Sequence, residues 1–149
     1  MQGYDYSREG LYFITSCVKD RACVFGEVTD AEMQLNPYGQ IAADQWHWLG
    51  TQYPYLILHA FVIMPNHVHG LLEIDYEGKA SAAKIKSISE LMGAYKTTTS
   101  KQIRQAGFTD FAWHRSFHDH IIRNEKAYQN ILQYIQDNPA RWQTDTFYL

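Results

Sequence analysis

Cysteine is scarce in this chain of 149 residues, where Cys17 and Cys23 are the only two. Two thiols outside any CxxC pair exclude a disulfide framework and read as free thiols of a reducing compartment. No charged-then-apolar leader opens the sequence, and no apolar run approaches the ~18 residues that a membrane span needs. A cytoplasmic protein without membrane contact is therefore expected. Internal repeats, low-complexity tracts and linker-like stretches are missing too, so one domain is expected over 1–149. A strong net charge is also lacking, since the formal total is −3. Its distribution is uneven, however. Between Lys79 and Lys126 nine cations stand against four anions, while the rest of the chain holds four cations against twelve anions. Neutralising phosphates takes a local basic surface rather than a basic total, although such charges also suit ordinary solvated helix faces. What the chain has in quantity is apolar residues, 46%, and aromatic residues, 15%. That suffices for a packed core and also offers rings on which bases can stack.

Leu11 to Val18 (LYFITSCV) is β-branched and aromatic and predicts a strand. Asn36-Pro37 opens a helix, with Asn as cap and Pro at the first helical position. Ile41, Ala42, Gln45, Trp48 and Leu49 follow helical spacing until Gly50, which is expected to stop it. Tyr55 to Met64 and His67 to Ile74 read as strands, and only Pro65-Asn66 separates them, so they form an antiparallel hairpin. Ser87-Ile88-Ser89-Glu90 is a capping box. The helix it opens carries Ile88, Leu91, Met92, Tyr95, Thr99 and Ile103 on its apolar face and ends near Gly107. Phe117 to Ile122 alternates as a fourth strand. Asn124 then caps a last helix whose core face is Tyr128, Ile131, Leu132 and Ile135, and Pro139 stops it near Asn138. The order β-α-β-β-α-β-α predicts an α+β, ferredoxin-like sandwich: an antiparallel four-stranded sheet with helices packed mainly on one face.

Two local patterns carry chemistry. In Pro65-Asn66-His67-Val68-His69 the two histidines stand at i and i+2 of a strand, so both imidazoles project from one face as a two-point metal grip. By itself such a pair also fits two half-exposed sheet histidines. A histidine-triad hydrolase wants a third His where Leu71 stands, and the cysteines lie too far off for a structural zinc site. A catalytic zinc site with a distant third ligand stays open. In Tyr134-Ile135-Gln136-Asp137-Asn138 a phenol and an amide stand at i and i+4 of a helix, on one flank. A phenol is a competent nucleophile toward phosphorus, and an Asn oxygen is a neutral metal ligand. Alone, this pattern also fits a boundary tyrosine beside a helix-ending Asn.

In sequence order, Met-Pro-Asn-His-Val-His, a basic helix, His-Ile-Ile-Arg-Asn-Glu and Tyr-Ile-x-x-Asn-Pro-Ala-Arg-Trp together resemble the REP-associated tyrosine transposases. These are bacterial relatives of the single-tyrosine insertion-sequence transposases in the HUH nuclease superfamily. The resemblance runs from about Leu11 to Trp142. It implies His67 and His69 as paired metal ligands, Asn138 as the third ligand and Tyr134 as the nucleophile. It places Lys96 near bound DNA, with Arg115 and Arg123 as further DNA-binding candidates. The implied reaction is nicking and rejoining of single-stranded, hairpin-bearing DNA through a covalent 5′-phosphotyrosine, with Mg²⁺ or Mn²⁺ as cofactor. A homodimer is compatible, because insertion-sequence relatives pair while REP-associated ones can be monomers. The chain departs from the pattern at Trp113-His114-Arg115-Ser116-Phe117-His118-Asp119-His120, where relatives commonly carry Trp-Gln-x-x-Tyr-Tyr. Both of those tyrosines are gone, which leaves Tyr134 the stronger nucleophile and puts DNA contacts of that strand in doubt. His118 and His120 are expected to be partly buried strand residues. Two alternatives are a catalytically silent DNA-binding relative and a zinc-dependent phosphoester hydrolase.

Overall fold

The computed structural model describes residues 10–76, 85–115 and 118–144. Its strands are Leu11–Cys17 (β1), Gly26–Thr29 (β2), Glu32–Leu35 (β3), Leu56–Met64 (β4), His67–Ile74 (β5) and His118–Ile121 (β6). Its helices are Pro37–Gln52 (α1), Ile88–Gln105 (α2) and Glu125–Asp137 (α3), with 3₁₀ turns at Lys19–Arg21 and Pro139–Thr144. Four strands form one antiparallel sheet in the order β4-β5-β1-β6, which agrees with the α+β expectation. The β4–β5 turn is the two-residue Pro65-Asn66 link, and it sets Met64 opposite His67. Lys79, Lys84 and Phe117 of the sequence reading lie outside the described residues.

Alternation along β5 decides what each face carries. Val68, Leu72 and Ile74 join the main core with Trp46 of α1 and Leu91, Met92 and Tyr95 of α2. Gly70 belongs to this face, because a Cβ there would meet the Trp46 ring at 2.1 Å. The absent side chain is what lets the indole lie on the sheet. Tyr95 Oη donates to the Ala42 carbonyl at 2.9 Å and ties α2 to α1. The opposite face holds a smaller cluster of Leu11, Leu71, Ile122, Tyr128 and Ile135, covered by α3. Two helices therefore share one face and the third crosses to the other. His67 and His69, in phase with Leu71, point toward the face that α3 covers.

Three local readings differ from the structure. α1 runs through Gly50 to Gln52 rather than stopping there. A Cβ at Gly50 would meet Leu58 at 3.0 Å, so this glycine serves close helix–strand approach and not termination. The β2–β3 hairpin is absent from the sequence reading. Its Asp30-Ala31 turn holds both residues at positive φ, 53° and 63°, where Asn-Gly or Asp-Gly is the recognisable signal. Finally, His118 and His120 are exposed rather than partly buried. Among the described strands β6 pairs with β1 alone and forms the sheet edge, which leaves these rings uncovered.

Candidate active site

The hairpin turn and the two β5 histidines build the centre. His67 and His69 are 0% and 1% exposed, and their Nε2 atoms stand 3.1 Å apart. Asn66 Oδ1 can only accept, so the 2.7 Å contact with His67 Nδ1 fixes the proton on Nδ1 and leaves Nε2 a bare lone pair. Thr15, opposite His69 across β1–β5, meets His69 Nδ1 through Oγ1 at 2.9 Å. A hydroxyl both donates and accepts, so this contact serves either tautomer of His69. Burial holds the His67 imidazole far below its ordinary value, at about 2, with the neighbouring His69 pushing the same way and Asn138 opposing. Burial likewise lowers His69 to about 4. Both rings are neutral near pH 7, the form that ligates a metal.

These shifts carry a stability consequence. An unfolded histidine titrates near 6.5, so the metal-free fold keeps its full stability above that pH. As the pH falls from 6.5 toward about 4, the unfolded chain gains protons that His69 in the fold does not accept. Stability is lost across that window. His69 alone accounts for a loss on the order of 3 kcal/mol. Urea melts of EDTA-treated protein at pH 7.5 and pH 4.5 should show it, and His69→Gln should flatten the dependence. An unchanged pH slope in that variant would contradict the assignment.

α3 brings the second pattern to the same place. Tyr134 is 38% exposed, and its ring centre lies 5.3 Å from that of His69 and 6.2 Å from that of Phe13. Asn138, at the helix end, is 2% exposed, and its amide donates to the Tyr134 carbonyl at 3.3 Å. Its Oδ1 is buried without a hydrogen bond of good geometry. It nevertheless lies near enough to His67 to favour the protonated ring, as an acceptor does. A buried amide oxygen without a hydrogen bond of good geometry, beside a neutral imidazole, fits a cation better than an empty hydrogen-bonding site. The imidazole spacing agrees: two nitrogens at about 2.0–2.1 Å from one cation stand roughly 2.8–3.4 Å apart, from octahedral to tetrahedral geometry. Among the described residues no cluster of three or more His, Cys, Asp or Glu side chains can hold a metal. The side-chain oxygen that Asn138 brings near His67 is a neutral one.

The sequence profile of the family described as "Transposase IS200 like" matches residues 11–138, from the start of β1 to Asn138. The chain belongs to the IS200-like transposases. Among curated relatives of this transposase, an uncharacterised protein of Haemophilus influenzae is 35% identical, with all of this chain and 91% of that protein covered. A second protein of that organism, described as a REP-associated tyrosine transposase, is 26% identical over 92% of this chain and 74% of its own. Among solved structures, a REP-associated tyrosine transposase bound to a REP hairpin shares the fold. It has a TM-score of 0.64 and 20% identity, over 95% of this chain and 74% of that one. A protein of Deinococcus radiodurans described as a transposase also shares the fold. Its TM-score is 0.57 at 21% identity, over 92% and 95% of the two chains. These likenesses agree with the resemblance carried by the sequence motifs.

Around the centre of this transposase, rings line up across the sheet face. Trp142 of the last 3₁₀ turn stacks on His67 at 6.1 Å, and Phe13 stacks on His69 at 5.3 Å. His120 sits opposite Phe13, and His118 opposite Thr15. A groove of about 340 Å³ opens there, lined by Phe13, Thr15, His118, Asp119, His120 and Ile131. A neighbouring groove of about 490 Å³ shares Asp119 and His120 and reaches Arg123. Arg123 is exposed, as is Arg115. Lys96 instead lies on α2, on the other side of the sheet, half-buried, with its ammonium donating to the His114 carbonyl at 2.9 Å. Burial lowers its pKa, with Cys17 acting in the opposite direction. Thr15, Asn66, Phe13 and Trp142 were not singled out by the sequence. For Thr15 the signal was available, since i, i+2 alternation in β1 and antiparallel pairing would set it beside a histidine, but only once the register is known. No helix among the described residues is long and apolar enough to cross a membrane.

Proposed function

We propose that this transposase nicks and rejoins single-stranded, hairpin-bearing DNA through a 5′-phosphotyrosine at Tyr134. The observation that carries it is Tyr134 standing beside His69 on the same helix as Asn138, all within one chain. The reading therefore needs no second copy. The solved REP-associated relative bound to a REP hairpin supports a hairpin as the substrate.

The Tyr134 oxygen bonds to phosphorus, the bond from phosphorus to the 3′-oxygen breaks, and the departing oxygen takes up the proton balancing the one the phenol loses. The strand is left as a 5′-phosphotyrosine and a free 3′-hydroxyl, which reverses the step or joins another end without a nucleotide cofactor. His67 Nε2, His69 Nε2 and Asn138 Oδ1 would hold a divalent cation, Mg²⁺ or Mn²⁺, supplying positive charge against the phosphate oxygens. Asn66 keeps the His67 lone pair pointed inward, and Thr15 aligns His69. Trp142 and Phe13 flank the imidazoles and shed water from them. The groove beside Phe13 receives the strand next to the scissile phosphate, with stacking on its rings.

Incubation with Mn²⁺ and hairpin DNA, followed by a denaturing gel, tests the reading. A shifted band that survives denaturant is expected, and free cleaved ends without it would favour hydrolysis. DNA affinity tests the cations. Arg123→Ala is expected to weaken binding by about 1 kcal/mol and to lower the salt slope by about one phosphate. Lys96→Ala, across the sheet with its ammonium on the His114 carbonyl, tests whether bound DNA reaches α2. Unchanged affinity at every salt concentration removes that residue from the DNA face. Arg115→Ala belongs in the same series.

A further inference from the structure

At the far end of the face that α3 covers, three polar side chains join the helix to the sheet. Tyr128 Oη meets His59 Nδ1 at 3.4 Å, and His59 Nε2 meets Glu73 Oε1 at 3.0 Å. The His59 and Glu73 side chains are each 14% exposed, and Tyr128 is 8% exposed. A carboxylate only accepts, so His59 Nε2–H donates to Glu73, and in the neutral ring Nδ1 accepts from the Tyr128 hydroxyl. Burial first, then Glu125 and Glu73, raises the Tyr128 pKa and keeps it a donor. The sheet is shaped for this contact. The β4 register shifts between Leu58 and Ala60, a bulge that turns two successive residues, His59 and Ala60, to the α3 side.

The rest of the α3 contact is apolar and small. Tyr128 and Ile135 are its only buried residues within the described helix, and Ile131 and Leu132 are partly buried. Apolar packing is non-directional, so it leaves the helix free to rotate or slide by a fraction of a turn. A directional hydrogen bond does not. Tyr128, Ile135 and Asn138 form one buried stripe, with Tyr128 at one end and the orphaned Asn138 oxygen at the other. Any rotation that lifts Tyr128 from His59 also moves Asn138 from His67 and Tyr134 from His69.

We propose that the Glu73–His59–Tyr128 chain sets the rotation and register of α3, making Tyr128 and His59 positioning residues for Asn138 and Tyr134. The inference rests on the phosphotyrosine reading and extends it to residues outside the site. Tyr128→Phe deletes only the hydroxyl and keeps the edge contact with the His59 ring, whose centre is 5.7 Å away. Mn²⁺ titration followed by electron paramagnetic resonance reads the site without DNA. Tyr128→Phe is expected to weaken Mn²⁺ binding roughly tenfold, as loss of an outer support of a metal site does. It should also slow adduct formation at saturating DNA by a similar factor, with the half-saturating DNA concentration unchanged. Glu73→Leu should match it, Glu73→Gln, which keeps an acceptor for His59, should restore most of the loss, and the double variant Tyr128→Phe/Glu73→Leu should be no worse than either single one. Wild-type Mn²⁺ affinity and adduct rate in Tyr128→Phe would overturn the proposal, as would independent, additive losses in the double variant. Wild-type protein that binds Mn²⁺ without forming an adduct sinks the nucleophile alone, and the Mn²⁺ comparison still decides the lock. Wild-type protein that binds no Mn²⁺ overturns both.

Discussion

Tyr134→Phe should abolish the denaturant-resistant adduct while leaving affinity for the same hairpin within about twofold of wild type. The substitution removes one oxygen, the atom proposed to bond to phosphorus. The ring stays, and with it the edge contacts to His69 and Phe13. The side chain is 38% exposed, so the fold loses little. No neighbour on the helix replaces it. Tyr128 is 8% exposed, engaged with His59, and held protonated by burial and two carboxylates. Binding should persist because it rests on phosphate contacts and stacking, which the variant keeps. Denaturing gels and fluorescence anisotropy on the same samples separate the two effects. An adduct persisting in Tyr134→Phe would move the nucleophile to another residue.

The second large effect belongs to the paired histidines. His67→Ala should cut adduct formation by roughly 10²–10³-fold, the scale of losing a main electrostatic stabiliser of the transition state. Mn²⁺ binding should go with it, and chelation of the wild type should reproduce the loss. His67 Nε2 lies 3.1 Å from His69 Nε2 with its lone pair fixed inward by Asn66, and Asn138 Oδ1 has no donor of its own. Without His67, no third His, Cys, Asp or Glu among the described residues is placed to replace it. Thr15→Val should cost less, about 10–100-fold, because it only loosens the orientation of His69. A His67→Ala protein that keeps both its Mn²⁺ affinity and its rate would show that this pair holds no cation.

Most of the sheet was legible because its strands are long and strongly patterned. LYFITSCV and the run around Pro65-Asn66 announce two partners and a two-residue turn, and the capping box at Ser87 marks α2 to the residue. The β2–β3 hairpin was not legible, because GEVT and EMQL are short and half charged and Ala31 stands where a glycine would signal the turn. The site followed the same division. His67 with His69, and Tyr134 with Asn138, are each aligned by a local period, so spacing alone groups them within an element. That the two pairs meet depends on α3 crossing to the His67 face, and no local period encodes which face a helix takes. Thr15 and Phe13 depend on the β1–β5 register, and Trp142 on the turn after Pro139, so pairwise spacing could not reach them. The exposure of His118 and His120 follows from β6 being the sheet edge, which alternation leaves unspecified.

The proposed chemistry bonds a tyrosine oxygen on α3 to a DNA 5′-phosphate. Its most direct measurement is mass spectrometry of the cross-linked peptide. A pool of hairpins with randomised single-stranded flanks is incubated with the protein and Mn²⁺, the adduct is isolated under denaturing conditions, and nuclease and trypsin trim both partners. Cleavage after Lys126 and Arg141 releases residues 127–141, a peptide holding both Tyr128 and Tyr134. Fragmentation should place a 5′-phosphonucleotide on Tyr134, with the matching DNA fragment ending in a free 3′-hydroxyl. A modification on Tyr128 or outside this peptide, a 3′-phosphate link, or cleaved DNA with no protein attached would contradict the account.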